Sequence, residues 1–265
     1  MSYPRIIPCL LLGDDGLVKT EGFSKPRYIG DPMNTVRIFN EKKVDELVLL
    51  DINATRNKTA PNFKLIEKIA TECRMPLSYG GGIKTYADAE RIISMGIEKV
   101  ALSSAALETP ELVQEISSAL GAQSTVVVLD YKKNWQGRRV VYTHGGTRKA
   151  GGDIFDHIDN AVKNGAGEIV LYSIANDGAM KGYDLAFAEE VSARIDKPLT
   201  FVGGAGTLDN VRELFDRCGN VGAGVGSMFV YKSALKGVLI NYPKPDEKEK
   251  VLSEYARKYL SSAAH

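Results

Sequence analysis

The chain has 265 residues, 44 % of them hydrophobic and 25 % charged, the make-up of a globular protein with a full core. Its 34 basic and 33 acidic residues leave a net charge of +1, which gives no electrostatic footprint for nucleic acid or an anionic membrane surface. Three cysteines (Cys9, Cys73, Cys218) in no metal-like spacing suit a reduced, cytoplasmic protein, and three histidines leave little material for a zinc or Ser-His-Asp enzyme. No metal or cofactor is expected.

The first apolar run, Ile6 to Leu12, is broken by Pro8 and is too short to span a bilayer or serve as a signal peptide. Along the chain, strand-length runs fall at Arg5–Leu12, Asp45–Ile52, Pro76–Gly80, Lys99–Ser103, Ser124–Tyr131, Glu168–Ser173, Pro198–Val202 and Asn220–Val225. They are continuous rather than alternating, as parallel strands buried on both faces require. Amphipathic helical stretches separate them. Asp31-Pro32 and Thr109-Pro110 read as N-caps with proline at the first helical position. Eight such pairs without a break in composition predict one closed (β/α)8 barrel over residues 1–265, with an open doubly wound sheet as the alternative. After the fifth run, Gly137 and Gly145-Gly146 flank Arg139–Thr143, so the insertion Asn134–Gly151 reads as a hairpin. A last helix, about residues 246–261, places Val251, Leu252, Tyr255 and Tyr259 on one face, to pack on the barrel or meet a partner.

The chain also repeats itself at half length. Residues 44–51 (VDELVLLD) answer 166–173 (AGEIVLYS), Gly80-Gly-Gly-Ile83 answers Gly203-Gly-Ala-Gly206, and 100–107 (VALSSAAL) answer 223–229 (AGVGSMF). Three distinct segments in matched order predict two half-barrels, about 1–121 and 122–242.

In such barrels the loops at the C-terminal strand ends carry the chemistry. Two glycine turns lie there. Gly82, with Ser103 and Ser104 nearby, and Gly203-Gly204, with Gly178, Gly226 and Ser227, could let backbone N–H groups approach an anion closely. Repeat-related turns would grip a ligand with a phosphate at each end; the alternative for each is simply a tight loop. Three acids stand at strand tips, Asp51, Asp130 and Asp177, as candidate proton-transfer groups. Asp177, in a loop, reads equally well as a cap or salt-bridge partner. Arg5, Glu46, Lys99 and Glu168 lie at the opposite strand ends. They would make either an ordinary polar rim or a closed ring of charge.

Together Arg5-Ile-Ile-Pro-Cys-Leu10, Gly30-Asp-Pro32, Asp45-Glu-Leu47, Leu50-Asp51, Gly80-Gly-Gly-Ile83, Ser173-Ile174, Asp177-Gly178, Gly182-Tyr-Asp184 and Gly203-Gly-Ala-Gly206 resemble HisF, the cyclase subunit of imidazole glycerol phosphate synthase, from residue 5 to about 240. The resemblance implies a separate HisH-like glutaminase docked at the barrel's bottom, forming a heterodimer. It also implies an ammonia gate made of Arg5, Glu46, Lys99 and Glu168, and a top site for a bis-phosphorylated ribonucleotide. Cys9, Lys19, Asp51 and Asp177 fall around that site by the same matching, Lys19 in the family's mobile lid.

The match breaks at the chemistry. Of the family's two catalytic aspartates one corresponds to Asp130; the other falls at Leu11, and Asp14 and Asp15 lie three or more residues further on, in the loop. Losing one of two acid–base groups typically costs about 10²–10⁴-fold in rate. Ser103, Ala175 and Val202 also replace the family's Asn, Asp and Ser. A retained gate beneath an altered top resembles the HisF paralogues of surface-polysaccharide pathways, which send ammonia on to a separate N-acetyl-sugar amidotransferase that forms an acetamidino group. Ordinary imidazole glycerol phosphate synthase activity in histidine biosynthesis is the alternative. A scaffold that only activates a glutaminase, and a sugar isomerase sharing the half-barrel repeat, are the readings from other classes.

Overall fold

The computed structural model describes residues 4–232 and 236–252. In chain order the elements are β1 (Arg5–Gly13), β2 (Gly16–Glu21), β3 (Ser24–Gly30), α1 (Pro32–Glu41), β4 (Leu47–Asp51), α2 (Phe63–Glu72), β5 (Leu77–Gly80), α3 (Tyr86–Ser94) and β6 (Lys99–Leu102). Then come α4 (Ser104–Glu108), α5 (Pro110–Leu120), β7 (Thr125–Lys133), β8 (Arg139–Thr143), β9 (Arg148–Lys149), α6 (Ile154–Lys163), β10 (Glu168–Ser173), α7 (Leu185–Arg194), β11 (Leu199–Val202), α8 (Leu208–Cys218), β12 (Gly222–Val225) and α9 (Ser227–Val230).

All eight runs read from the sequence form strands, each within two residues or so of its expected bounds. They pair in parallel in the order β1, β4, β5, β6, β7, β10, β11, β12, and β12 returns to β1 through Arg5↔Gly222, so the sheet closes on itself. No edge is left within that ring. Alternation along each strand sorts the side chains into two layers. Ile6, Leu10 and Leu12 of β1 face outward into the core under the helices, whereas Cys9 joins Ala101, Val126, Val128, Val170 and Val202 inside the barrel. The chain is thus a (β/α)8 barrel.

Helix starts follow the side chains that can satisfy their free N–H groups. Asp31 accepts the Asn34 N–H at 2.8 Å ahead of Pro32, as the sequence suggests. Thr109 holds the N-cap position ahead of Pro110, as expected, but its side chain makes no cap bond. It also ends α4, donating its N–H to the Ala105 carbonyl.

Two strands that follow β1 were not foreseen. The segment after β1 is a hairpin, β2 antiparallel to β1 through Leu11↔Val18 and β3 antiparallel to β2, that folds as a strap over the barrel top. β3 is largely exposed and contains Pro26, so it has neither the alternation nor the apolar content that would reveal it. The insertion after β7 is the hairpin expected, with β8 antiparallel to β7.

At the C-terminal side, residues 245–252 are helical, and Val251 packs in the outer core. Tyr255 and Tyr259 lie outside the described residues. Tyr242 is buried against Phe229, and its hydroxyl lies 3.1 Å from the Ile6 carbonyl oxygen and 3.2 Å from the Asp45 carboxylate, which Lys248 also pairs with. Among the described residues no helix is long and apolar enough to cross a membrane, and no group of side chains is arranged to hold a metal ion.

Candidate functional site

The bottom of the barrel is sealed by a closed ring of charge. Arg5 begins β1, Glu46 immediately precedes β4, Lys99 begins β6 and Glu168 begins β10, so the bottom ends of four barrel strands each send one long side chain inward. Arg5 reaches Glu46 at 2.5 Å and Glu168 at 2.8 Å; Lys99 reaches the same two carboxylates at 2.9 and 2.8 Å. Remaining lone pairs are taken up by Thr200, whose hydroxyl donates to Glu168 at 2.6 Å, and Ser78, which donates to Glu46 at 3.3 Å. Burial would push the Glu168 carboxyl up, but Arg5 and Lys99 outweigh it and hold it at about 2. Burial likewise works against the charges of Arg5 and Lys99, and the two carboxylates win there too, raising both. Arg5, Lys99 and Glu168 are therefore charged at neutral pH.

Directly above the ring lies a cavity of about 410 Å³ with walls of Ile7, Val48, Val126 and Val170. Cys9 projects into it; burial pushes its thiol up to about 12, so it is a small apolar wall rather than a nucleophile. Leu50, Ala101 and Val128 border this cavity and also the cleft at the barrel top. An apolar column therefore runs from the ring upward.

The top cleft, about 820 Å³ with its open mouth, is lined mostly by residues 11–105, joined by Val128, Asp130, Gly145 and Tyr172. Gly81 and Gly82 line it with positive φ, and a side chain at Gly81 would sit 2.5 Å from the Asp51 carbonyl oxygen. Only glycine fits there. Ser103 and Ser104 both line the cleft, but each hydroxyl already has a protein partner: Ser103 donates to Asp130 at 3.1 Å, and Ser104 accepts the His144 N–H at 2.8 Å. Asp51 lines the wall with one oxygen accepting the N–H groups of Asn53 and Ala54.

Leu11 and Asp130 both reach this cleft from inward-facing positions. Leu11 is buried, two residues above Cys9 on the same face of β1. Asp14 and Asp15 are exposed in the turn that follows, and Asp14 accepts a hydrogen bond from Asn53, so no second acid replaces the leucine. Burial pushes the Asp130 carboxyl up to about 7; the Ser103 hydroxyl restrains the rise and the Asp177 charge adds to it. A carboxyl poised there can give or take a proton near neutral pH.

A second cavity at the top is smaller, about 250 Å³, and is lined by Gly178, Gly203, Gly204, Gly226 and Ser227. Lys19 enters it from the strap, with its ammonium group against Gly226 and 3.7 Å from Asp177. The Ser227 hydroxyl is buried there with no hydrogen-bond partner. Asp177 is committed to holding the strap: one carboxylate oxygen accepts from Thr20 at 2.5 Å and from the Phe23 N–H at 3.2 Å, the other from the Tyr172 hydroxyl at 3.0 Å.

A family model described as "Histidine biosynthesis protein" matches residues 5–236. A Leptospira interrogans protein provisionally named as subunit HisF of imidazole glycerol phosphate synthase is 51 % identical over 250 residues, 94 % of this chain and 98 % of that protein. A similarly named Vibrio vulnificus protein is 51 % identical over 253 residues, 95 % and 97 % of the two chains. The chain belongs to the HisF family. An Exiguobacterium sibiricum protein named imidazole glycerol phosphate synthase subunit HisF is 40 % identical over 216 residues, 80 % of this chain and 85 % of that one. Within this HisF-family barrel the sequence reading missed Thr200 and Ser78, which complete the ring's hydrogen bonds, and Tyr172 and Phe23, which meet edge to face with centroids 4.8 Å apart at the top. Tyr172 could have been found from the period-two pattern of β10, where it shares the inward face with Val170.

Proposed function

We propose that this HisF-family chain is the synthase subunit of a two-component glutamine amidotransferase, and that it conducts ammonia from a HisH-like glutaminase to a separate acceptor enzyme. The observation that carries the reading is the pairing of a complete charge ring with an apolar column that ends where Leu11 on β1 stands across the barrel from Asp130 on β7. The ring is the ammonia gate: Arg5, Glu46, Lys99 and Glu168 neutralise one another, and a shift of one side chain opens a path for a small uncharged molecule. The column offers ammonia neither charge nor a nucleophile, so it passes unchanged. At the top Asp130 can exchange a proton near neutral pH, while cyclisation of a ribonucleotide calls for a second acid on the facing strand, where Leu11 stands. The acceptor that fits the paralogue pattern is an N-acetyl-sugar amidotransferase, which forms an acetamidino group for surface polysaccharide in the cytoplasm.

The alternative, cyclisation in histidine biosynthesis, draws support from the names of the relatives. One assay separates the two. Mixed with its glutaminase and given glutamine and the bis-phosphorylated histidine-pathway ribonucleotide, the chain is expected to release free ammonia with cyclisation at least 10²-fold below that of a two-aspartate HisF, the deficit expected from one missing acid–base group. Cyclisation within tenfold of that enzyme would sink the proposal.

A further inference from the structure

We propose that Tyr172 is a specificity-determining residue: it partitions the barrel top, so that a ligand with a phosphate at each end cannot span the two half-sites. The two glycine turns sit in separate cavities, a larger cleft that Gly81 and Gly82 line and a smaller one lined by Gly203, Gly204 and Gly226. Among the described residues Tyr172 is the one that lines both. It is 2 % exposed, and its backbone pairs with Asp130 on one side and Val202 on the other, which puts it in the uppermost interior layer.

The ring is fixed from two directions. Its hydroxyl donates to Asp177 at 3.0 Å, and its face is met at 79° by the Phe23 ring. Phe23 is itself held by its N–H on Asp177 and adopts a left-handed backbone with φ 59°, a conformation a bulky residue takes only when its surroundings impose it. A ligand crossing the top must break the buried hydrogen bond and part the two rings together. On the far side it would meet the Lys19 ammonium group already against Gly226. The divided top therefore favours one phosphorylated group in the first-half cleft, and a second phosphate on the same molecule adds no binding.

The inference deepens the reading of the top face as released from ribonucleotide cyclisation, yet it is measured without glutaminase or acceptor. A failure of ammonia transfer thus leaves it intact, and its own failure leaves ammonia transfer intact. The probes are the bis-phosphorylated ribonucleotide and its two monophosphate forms, each lacking one terminal phosphate, titrated calorimetrically into the full chain. In the wild type the bis-phosphate is expected to bind within threefold of the better monophosphate. Tyr172→Ala is expected to raise bis-phosphate affinity at least tenfold and leave the monophosphates within threefold, while Tyr172→Phe, which keeps the bulk, behaves as the wild type. Tyr172→Thr provides a second opening variant should the alanine form not fold. A wild-type preference of tenfold or more for the bis-phosphate overturns the partition, as does a ratio that neither opening variant increases, or binding of no probe at all.

Discussion

The two ends of this barrel are built from the same repeated βα unit, yet they solve opposite problems with charge. At the bottom two acids and two bases are gathered into one ring, and every carboxylate oxygen has a protein partner at 3.3 Å or less. At the top the charges are dispersed. Asp130 has one hydroxyl for company, Asp51 caps a turn, and Asp177 ties down the strap. Burial is similar in both places, with Glu168 at 6 % and Asp130 at 7 % exposure, but the carboxyls move in opposite directions, to about 2 and about 7. The difference shows that burial alone does not set the protonation state; the number of cations within reach does.

The largest effect expected from this contrast is at the ring. Glu168→Ala leaves Arg5 and Lys99 sharing one carboxylate and should destabilise the fold by about 3–5 kcal/mol in urea unfolding, the usual penalty for breaking a buried charge network. Adding Lys99→Met should recover part of that loss, and a single-variant loss below 1 kcal/mol would show the ring to be a solvated rim. Its pH dependence has a definite sign. The Glu168 pKa is depressed on folding, so its stabilisation is present above the unfolded value of 4.5 and disappears as pH falls through about 2.

Next in size is Leu11→Asp, which puts a carboxyl at a buried position on the cleft that Asp130 also lines. It should cost about 2–4 kcal/mol at pH 8 and less at pH 5, where the new group is neutral. Equal losses at both pH values would mean that solvent reaches the position. The smallest effect is at Asp130. Its pKa is raised on folding, so its contribution is fully present below about 3.8 and is lost as pH rises through about 7. Asp130→Asn should therefore match the wild type near pH 4 and become progressively more stable than it as pH rises toward 8. Stability curves that stay parallel from pH 4 to 8 would remove the argument that this carboxyl titrates near neutrality.

Much of this was legible in the sequence because barrel strands are local objects. Continuous apolar runs such as Val126-Val-Val-Leu129 announce burial on both faces, and Asp31-Pro32 marks a helix start through a single hydrogen bond. The ring residues were readable as candidates since each stands at the start of an apolar run. What closes the ring was not, because Ser78 and Thr200 look like any strand hydroxyl until the barrel brings them beside Glu46 and Glu168. The strap was missed for a related reason. Its place is set by Asp177, more than 150 residues along the chain, and not by any pattern within residues 16–30. The division of the top by Tyr172 likewise depends on three segments converging, and no one of them signals it.

The fastening of Tyr242 carries a consequence for the order of assembly. Its hydroxyl meets the Ile6 carbonyl oxygen across 236 residues of sequence, beside the β12–β1 seam that completes the sheet. A chain growing from the ribosome makes β1 more than 200 residues ahead of both β12 and Tyr242. Until then β1 offers one unpaired edge, and contacts of such long span form late because closing the loop costs entropy first. The first strand should thus be among the last to gain full protection from hydrogen exchange, although it is the first to be made.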